Sequence, residues 1–140
     1  MDSITIDYKQ DMNFEAEIKN QKIMLDAAVE NGGHDNGVTP KPLMLVALAG
    51  CTGMDVASLA KKMRVPIDRL EISVSAEKSD TQPVVYTSVA LRYNFMAASE
   101  NQTKIRKIVD LSMERYCGVA AMIRMICPLS YSVWLGDQQI

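Results

Sequence analysis

The run from Leu43 to Ala60 constrains this chain more than any other stretch: 18 residues that carry one charge, Asp55. Thr39-Pro40-Lys41-Pro42 precedes it and Lys61-Lys62 follows it. That pattern reads as a helix opened by proline, which suits the first turn because its missing N–H would have no partner there. The length is at the lower limit for crossing a bilayer. Gly50, Thr52, Gly53, Asp55 and Ser58 make the second half too polar for lipid, so a buried core helix and no membrane are expected. A helix that is apolar on every side needs apolar partners on every side. One chain of 140 residues covers it poorly, which points to a second subunit completing the burial.

The flanking sequence reads as strands and two further helices. Ile4, Ile6 and Tyr8 alternate with polar residues, as do Met12, Phe14, Ala16 and Ile18. Period two with one wet face is the strand pattern. Asn20-Gln21 is a turn before a strand over 22–26, and residues 31–37 form a loop rich in Gly and Asn. After the apolar helix, Leu70, Ile72, Val74 and Ala76 alternate inward, then Val85, Thr87, Val89, Leu91, Tyr93 and Phe95, giving a long hairpin with a turn over 79–83. Ser99 or Asn101 caps a second helix. Its inner face carries Ile105, Ile108, Val109, Ser112, Met113 and Tyr116. Cys117-Gly118 interrupts it, a short helix follows to Ile126, and Leu129, Tyr131, Val133 and Leu135 form a closing strand. The order βββ-α-ββ-αα-β is α+β, one domain over 1–140.

Composition bounds the function. At 48% apolar and 23% charged residues the chain is globular. A net charge of −2 argues against a nucleic-acid binder. Three cysteines are too few for a secreted disulfide scaffold. Met1 to Asp7 shows no basic region followed by an apolar stretch, so a reducing cytoplasm is the expected location.

Two cysteines stand out. Cys51 shares a helix face with Asp55, Ser58 and Lys62, four, seven and eleven residues on, beside Gly50 and Gly53. It is either small filler where helices pack closely or a thiol facing a cleft. Cys117 begins the third helix, where unpaired N–H groups and the helix dipole lower a thiol pKa, and an inward Arg115 would add to that. The alternative is a buried, inert cysteine. Cys127, before Pro128, reads as structural, and His34, the only histidine, as a solvated loop residue. No C-x-x-C spacing is present, so no metal is expected. No cofactor is expected either, because no phosphate or dinucleotide fingerprint occurs. Ten methionines are many for this length, and Met44, Met54, Met113 and Met122 are candidates to line an apolar pocket or to fill the core.

Three motifs together resemble one family. They are Gly37-Val38-Thr39-Pro40-Lys41-Pro42-Leu43 followed by Ala47-Leu48-Ala49-Gly50-Cys51-Thr52-Gly53-Met54-Asp55-Val56; Leu111-Ser112-Met113-Glu114-Arg115-Tyr116-Cys117-Gly118-Val119-Ala120; and Tyr131-Ser132-Val133. The chain resembles the OsmC/Ohr family of thiol-dependent hydroperoxide-handling proteins, and matches its less characterised OsmC-like branch better. The resemblance implies curved antiparallel sheets wrapped around long central helices in an intertwined homodimer, with sites at the subunit interface. It also implies that Cys51 attacks an organic hydroperoxide and becomes a sulfenic acid. Cys117 then closes a disulfide, and a dithiol reductant, of lipoyl type in some members, resets the pair. Characterised branches carry an arginine in the N-terminal region and a glutamate just before the cysteine helix. Here no arginine precedes residue 64, and Lys41-Pro42 stands in place of the glutamate. Lys41 is the candidate to support the thiolate, without arginine's forked donors. The reading from a different class is a non-catalytic dimer that binds a ligand or senses redox state.

Overall fold

The computed structural model describes residues 1–140, which form two compact units, 1–44 and 45–140.

The first unit is an antiparallel meander of β1 (Ile6–Gln10), β2 (Asn13–Ile18) and β3 (Gln21–Leu25). The β2–β3 turn falls on Lys19-Asn20, one residue earlier than expected, with φ of 48° and 64°. Two consecutive left-handed residues make the two-residue turn whose twist suits a hairpin. The loop after β3 is organised by Asp26, a buried side chain. Its carboxylate accepts the backbone N–H groups of Ala27 (2.8 Å), Asn36 (3.1 Å) and His34 (3.2 Å). Gly33 is required here, because a Cβ would lie 1.9 Å from the Ala27 carbonyl oxygen. His34 is exposed, with Nε2 2.8 Å from Asp11 Oδ2.

That loop carries two opposite pH dependences. The hydrogen bond to Asp11 holds the His34 pKa above its ordinary 6.5. The stability gained from the pair is therefore present below pH 6.5 and lost as pH rises through the folded value. Burial works to raise Asp26, but its backbone N–H donors and the neighbouring His34 bring it below the ordinary 3.8. Its contribution is present above pH 3.8 and lost as pH falls through the folded value. Denaturant titrations should show stability declining above pH 6.5, and His34→Gln should remove that decline.

The second unit follows from α1 (Pro42–Lys62), which begins at the last residues of the first. Its strands are β4 (Arg69–Lys78), β5 (Tyr86–Met96), β6 (Leu129–Leu135) and β7 (Gln138–Gln139), paired in that order. Between β5 and β6 lie α2 (Gln102–Leu111), a π-helical turn over Ser112–Tyr116, and α3 (Gly118–Arg124). Neither proposed cap holds α2: Ser99–Asn101 form a 3₁₀ turn, and the Asn101 side chain makes no capping bond.

Two expectations for the sheet need correction. The strands are not all antiparallel, because β6 runs parallel to β5, from Val89↔Leu129 to Phe95↔Leu135. The helices between them form the long crossover that parallel neighbours require. The inward alternation along β5 also breaks at its start. Glu77 pairs with Ser88 and Lys78 with Tyr86, leaving Thr87 as the extra residue of a bulge. Tyr86 therefore turns inward, while Val85 and Thr87 are exposed.

The core joins Leu48 and Val56 of α1, Val89, Leu91, Tyr93 and Phe95 of β5, Ile105, Ile108 and Val109 of α2, and Val133 of β6. Helix α1 is buried along a single stripe, Leu48, Thr52, Val56 and Ala60. Only 22% of its most apolar 18-residue window is buried, and it is long and apolar enough to cross a membrane by length and composition. Val46 and Met54 are 64% and 76% exposed on it.

Candidate active site

The fold brings together two cysteines 66 positions apart in sequence. Cys51 lies mid-way along α1 and is half-buried; Cys117 is the N-cap residue of α3 and only 3% exposed. The π-helical turn before Cys117 widens the backbone by one residue, a device common at functional sites. It ends where the Cys117 N–H donates to the Ser112 carbonyl at 2.8 Å. The two sulfurs and a carboxylate oxygen of Asp55 all lie within 4.8 Å of one another.

Asp55 stands at the end of a buried hydroxyl chain. Ser112 Oγ donates to Asp55 Oδ2 at 3.0 Å. Thr52 Oγ1 lies 2.8 Å from Ser112 Oγ and 2.7 Å from Tyr93 Oη. A carboxylate only accepts, and each hydroxyl has one proton to give. Ser112 gives its proton to Asp55, so Thr52 must donate to Ser112 and Tyr93 to Thr52. The protons thus run one way, Tyr93 to Thr52 to Ser112 to Asp55. The Tyr93 phenol stays protonated: burial above all pushes its pKa up to about 12.

Sequence reading missed Thr52 and Tyr93 as members of this chain and placed Ser112 only as a core-facing residue. The available signal was a hydroxyl on each buried face, since Thr52 and Ser112 are both 0% exposed. Thr52→Val keeps the shape but leaves the Tyr93 hydroxyl without an acceptor and Ser112 without its donor. A loss of about 1–3 kcal/mol is expected in denaturant unfolding, with Thr52→Ser much milder.

The expected depression of the Cys117 pKa does not occur. Burial pushes this thiol up to about 11. The Ala120 N–H, 3.4 Å from Sγ, works the other way, but Cys51 and Asp55 reinforce the rise. Arg115 does not help: it is exposed, its guanidinium over the Tyr116 ring at 5.6 Å. Tyr116 itself is 50% exposed and not on the inner face, because the π-helical turn shifts the phase of the helix.

The other candidates are dispersed. Asp55, Ser58 and Lys62 share a groove of about 330 Å³ with Leu59 and Tyr116, on the face expected for Cys51. Met113 is buried in the core at 1% exposure, while Met44 and Met54 are exposed, so Met113 does not share an open lining with the other two. Cys127 is buried. Lys41 lies in the turn before α1, within the first unit.

The family model described as "OsmC-like protein" matches residues 33–132. Protein YhfA of Escherichia coli K12 is 28% identical over 111 residues, 79% of this chain and 80% of that protein. The fold is that of solved structures of low identity. An OsmC-like protein from Mycoplasma pneumoniae superposes with a TM-score of 0.82 at 19% identity, covering 96% of both chains. A Legionella pneumophila protein titled organic hydroperoxide resistance protein OsmC superposes at 0.70 and 17% identity, over 96% of this chain and 98% of that one. With that match spanning the apolar helix, both cysteines of the site and most of the closing strand, the chain belongs to the OsmC-like protein family.

Proposed function

We propose that the chain is a thiol-dependent reductase of organic hydroperoxides. The observation that carries this reading is the approach of the Cys51 and Cys117 sulfurs to within 4.8 Å. Burial assigns their roles. Cys117 is sealed, and its pKa is pushed up to about 11, so it is not the first nucleophile. Cys51 is the more accessible sulfur and attacks the hydroperoxide. Its thiolate bonds to the terminal oxygen, the O–O bond breaks, and the alkoxide leaves and takes a proton as the alcohol. The Cys117 sulfur then attacks the sulfenic acid, forming the disulfide and releasing water. Asp55 is placed to take the Cys117 proton in that second step. A dithiol reductant supplies the two electrons and two protons that restore both thiols. Relatives in fold named for organic hydroperoxide resistance support the same chemistry.

The reading extends to a cytoplasmic homodimer and to Lys41 as the candidate to support the Cys51 thiolate. Lys41→Ala should slow alkylation of Cys51 at neutral pH; an unchanged rate removes Lys41 from the site. A second reading, a ligand-binding or redox-sensing protein, is favoured by an apolar groove of about 290 Å³ in the first unit, lined by Ile6, Met12, Phe14, Leu25 and Pro40 among others. The deciding experiment counts thiols by alkylation and intact mass before and after one equivalent of an organic hydroperoxide. Loss of Cys51 and Cys117 thiols, reversed by a dithiol, supports the reductase; survival of all three thiols defeats it.

A further inference from the structure

We propose that the reduced Cys51–Cys117 pair and Asp55 form a binding site for a soft divalent cation of the zinc class, and that oxidation of the pair expels the ion. The inference stands on the geometry of the three side chains and survives if the peroxide chemistry fails.

The donor set is what such an ion selects. Thiolates favour borderline and soft cations, and a carboxylate is a common third ligand. All three donor atoms lie within 4.8 Å of one another. Neighbouring sulfurs on a tetrahedral zinc, with Zn–S bonds near 2.3 Å, stand about 3.7 Å apart. Closing the set takes side-chain adjustments of about 1 Å, within reach of χ rotations. Two ligands come from one rigid helix: Cys51 and Asp55 are four residues apart on α1, the spacing that puts both on one face. The third is fixed by its place as the α3 N-cap.

The surroundings fit as well. Metal ligands are normally oriented by outer partners. Here the Ser112 hydroxyl holds Asp55 Oδ2 at 3.0 Å and is itself held by Thr52, which fixes the carboxylate that lies beside the two sulfurs. Three protein ligands leave one position open on a four-coordinate cation. Counting sequence spacing argued against a metal, because no C-x-x-C occurs; the ligands come instead from α1 and from a helix start 66 residues later.

Binding is balanced by protons. Each thiol gives its proton to solvent as its sulfur bonds to the ion, so two protons leave per ion bound. An ion in place occupies both sulfur nucleophiles and shields them from peroxide. A two-electron oxidant of the diazene class joins the two thiolate sulfurs in an S–S bond and takes up their two electrons with two protons from solvent as it becomes the hydrazine. This removes both sulfur ligands and leaves Asp55 alone, too little to retain the ion.

The test uses the reduced full-length chain under nitrogen with Cd²⁺ as probe, since cadmium–thiolate bonds absorb in the ultraviolet, and Zn²⁺ as competitor. One Cd²⁺ per chain is expected, displaced by Zn²⁺. Cys51→Ser and Cys117→Ser should each cut the absorbance by about half and weaken binding strongly, since one of two sulfur ligands is gone. Asp55→Asn should keep the absorbance but weaken binding by at least the about 10–100-fold that loss of an outer partner costs, since Asp55 is itself a ligand. Cys127→Ser should change nothing, and circular dichroism confirms that each variant folds. Oxidation with diamide, which is not a hydroperoxide, should abolish the absorbance. No absorbance in the reduced chain, or absorbance that persists undiminished in Cys51→Ser, overturns the site. Hydroperoxide consumption by metal-free protein is measured in parallel. Cadmium binding without consumption sinks the reductase alone, and consumption without cadmium binding sinks the metal site alone.

Discussion

Cys51→Ser is expected to abolish hydroperoxide consumption, while Cys117→Ser should permit one turnover and then stop. The asymmetry follows from the site. In the first variant no accessible thiol remains, because Cys117 is 3% exposed and burial, the largest cause of its raised pKa, persists without Cys51. Burial holds the Cys117 thiol above its ordinary value, so little of it is thiolate at neutral pH and its attack on peroxide is slow. In the second variant Cys51 still forms its sulfenic acid, but nothing condenses with it. Excess peroxide then carries it to sulfinic acid, which a dithiol does not reverse. Intact mass reads this directly: Cys117→Ser should gain one oxygen and then two, whereas the native chain should lose two hydrogens. An unchanged rate in Cys51→Ser defeats the mechanism.

In detergent-free buffer the chain should run as a homodimer of twice 15.5 kDa, and Val46→Asp should break it. The buried stripe of α1 is Leu48, Thr52, Val56 and Ala60. The opposite stripe, Val46, Gly50, Met54 and Ala57, is exposed throughout. A Cβ on Gly50 would meet nothing within 4 Å, so the backbone there is open to close approach. Burying side chains such as Val46 and Met54 contributes about 1.5–3 kcal/mol each. A buried, unpaired aspartate reverses that gain and adds several kcal/mol of desolvation. The dimer constant should therefore weaken by more than about 100-fold, measured by sedimentation equilibrium. A native chain of 15.5 kDa contradicts the dimer, and a chain that stays in solution only with detergent points to lipid against this face.

How much of this was legible depended on range. The long helix, the β4–β5 hairpin and the two helices before β6 are local patterns of hydrophobicity and proline, and the sequence shows them to within a few residues. The parallel pairing of β6 was not legible, because strand direction depends on how far the α2–α3 crossover travels, and no residue of β6 records that. The bulge at Thr87 was hidden for a related reason: alternation on one strand looks unbroken until its partner's register is known. Tyr116 was misplaced because a π-helical turn adds a residue that a period of 3.6 does not anticipate.

The same division holds at the site. Sequence alone determined which residues carry reactive groups, that Cys51 and Asp55 share a helix face, and that Cys117 starts a helix, since each is a matter of spacing within one element. Tertiary structure alone decided that the two sulfurs and the carboxylate meet, that Thr52, Ser112 and Tyr93 pass their protons toward Asp55, and that burial overrides the helix terminus at Cys117. Desolvation is set by everything packed around a group, and that packing is assembled from distant parts of the chain.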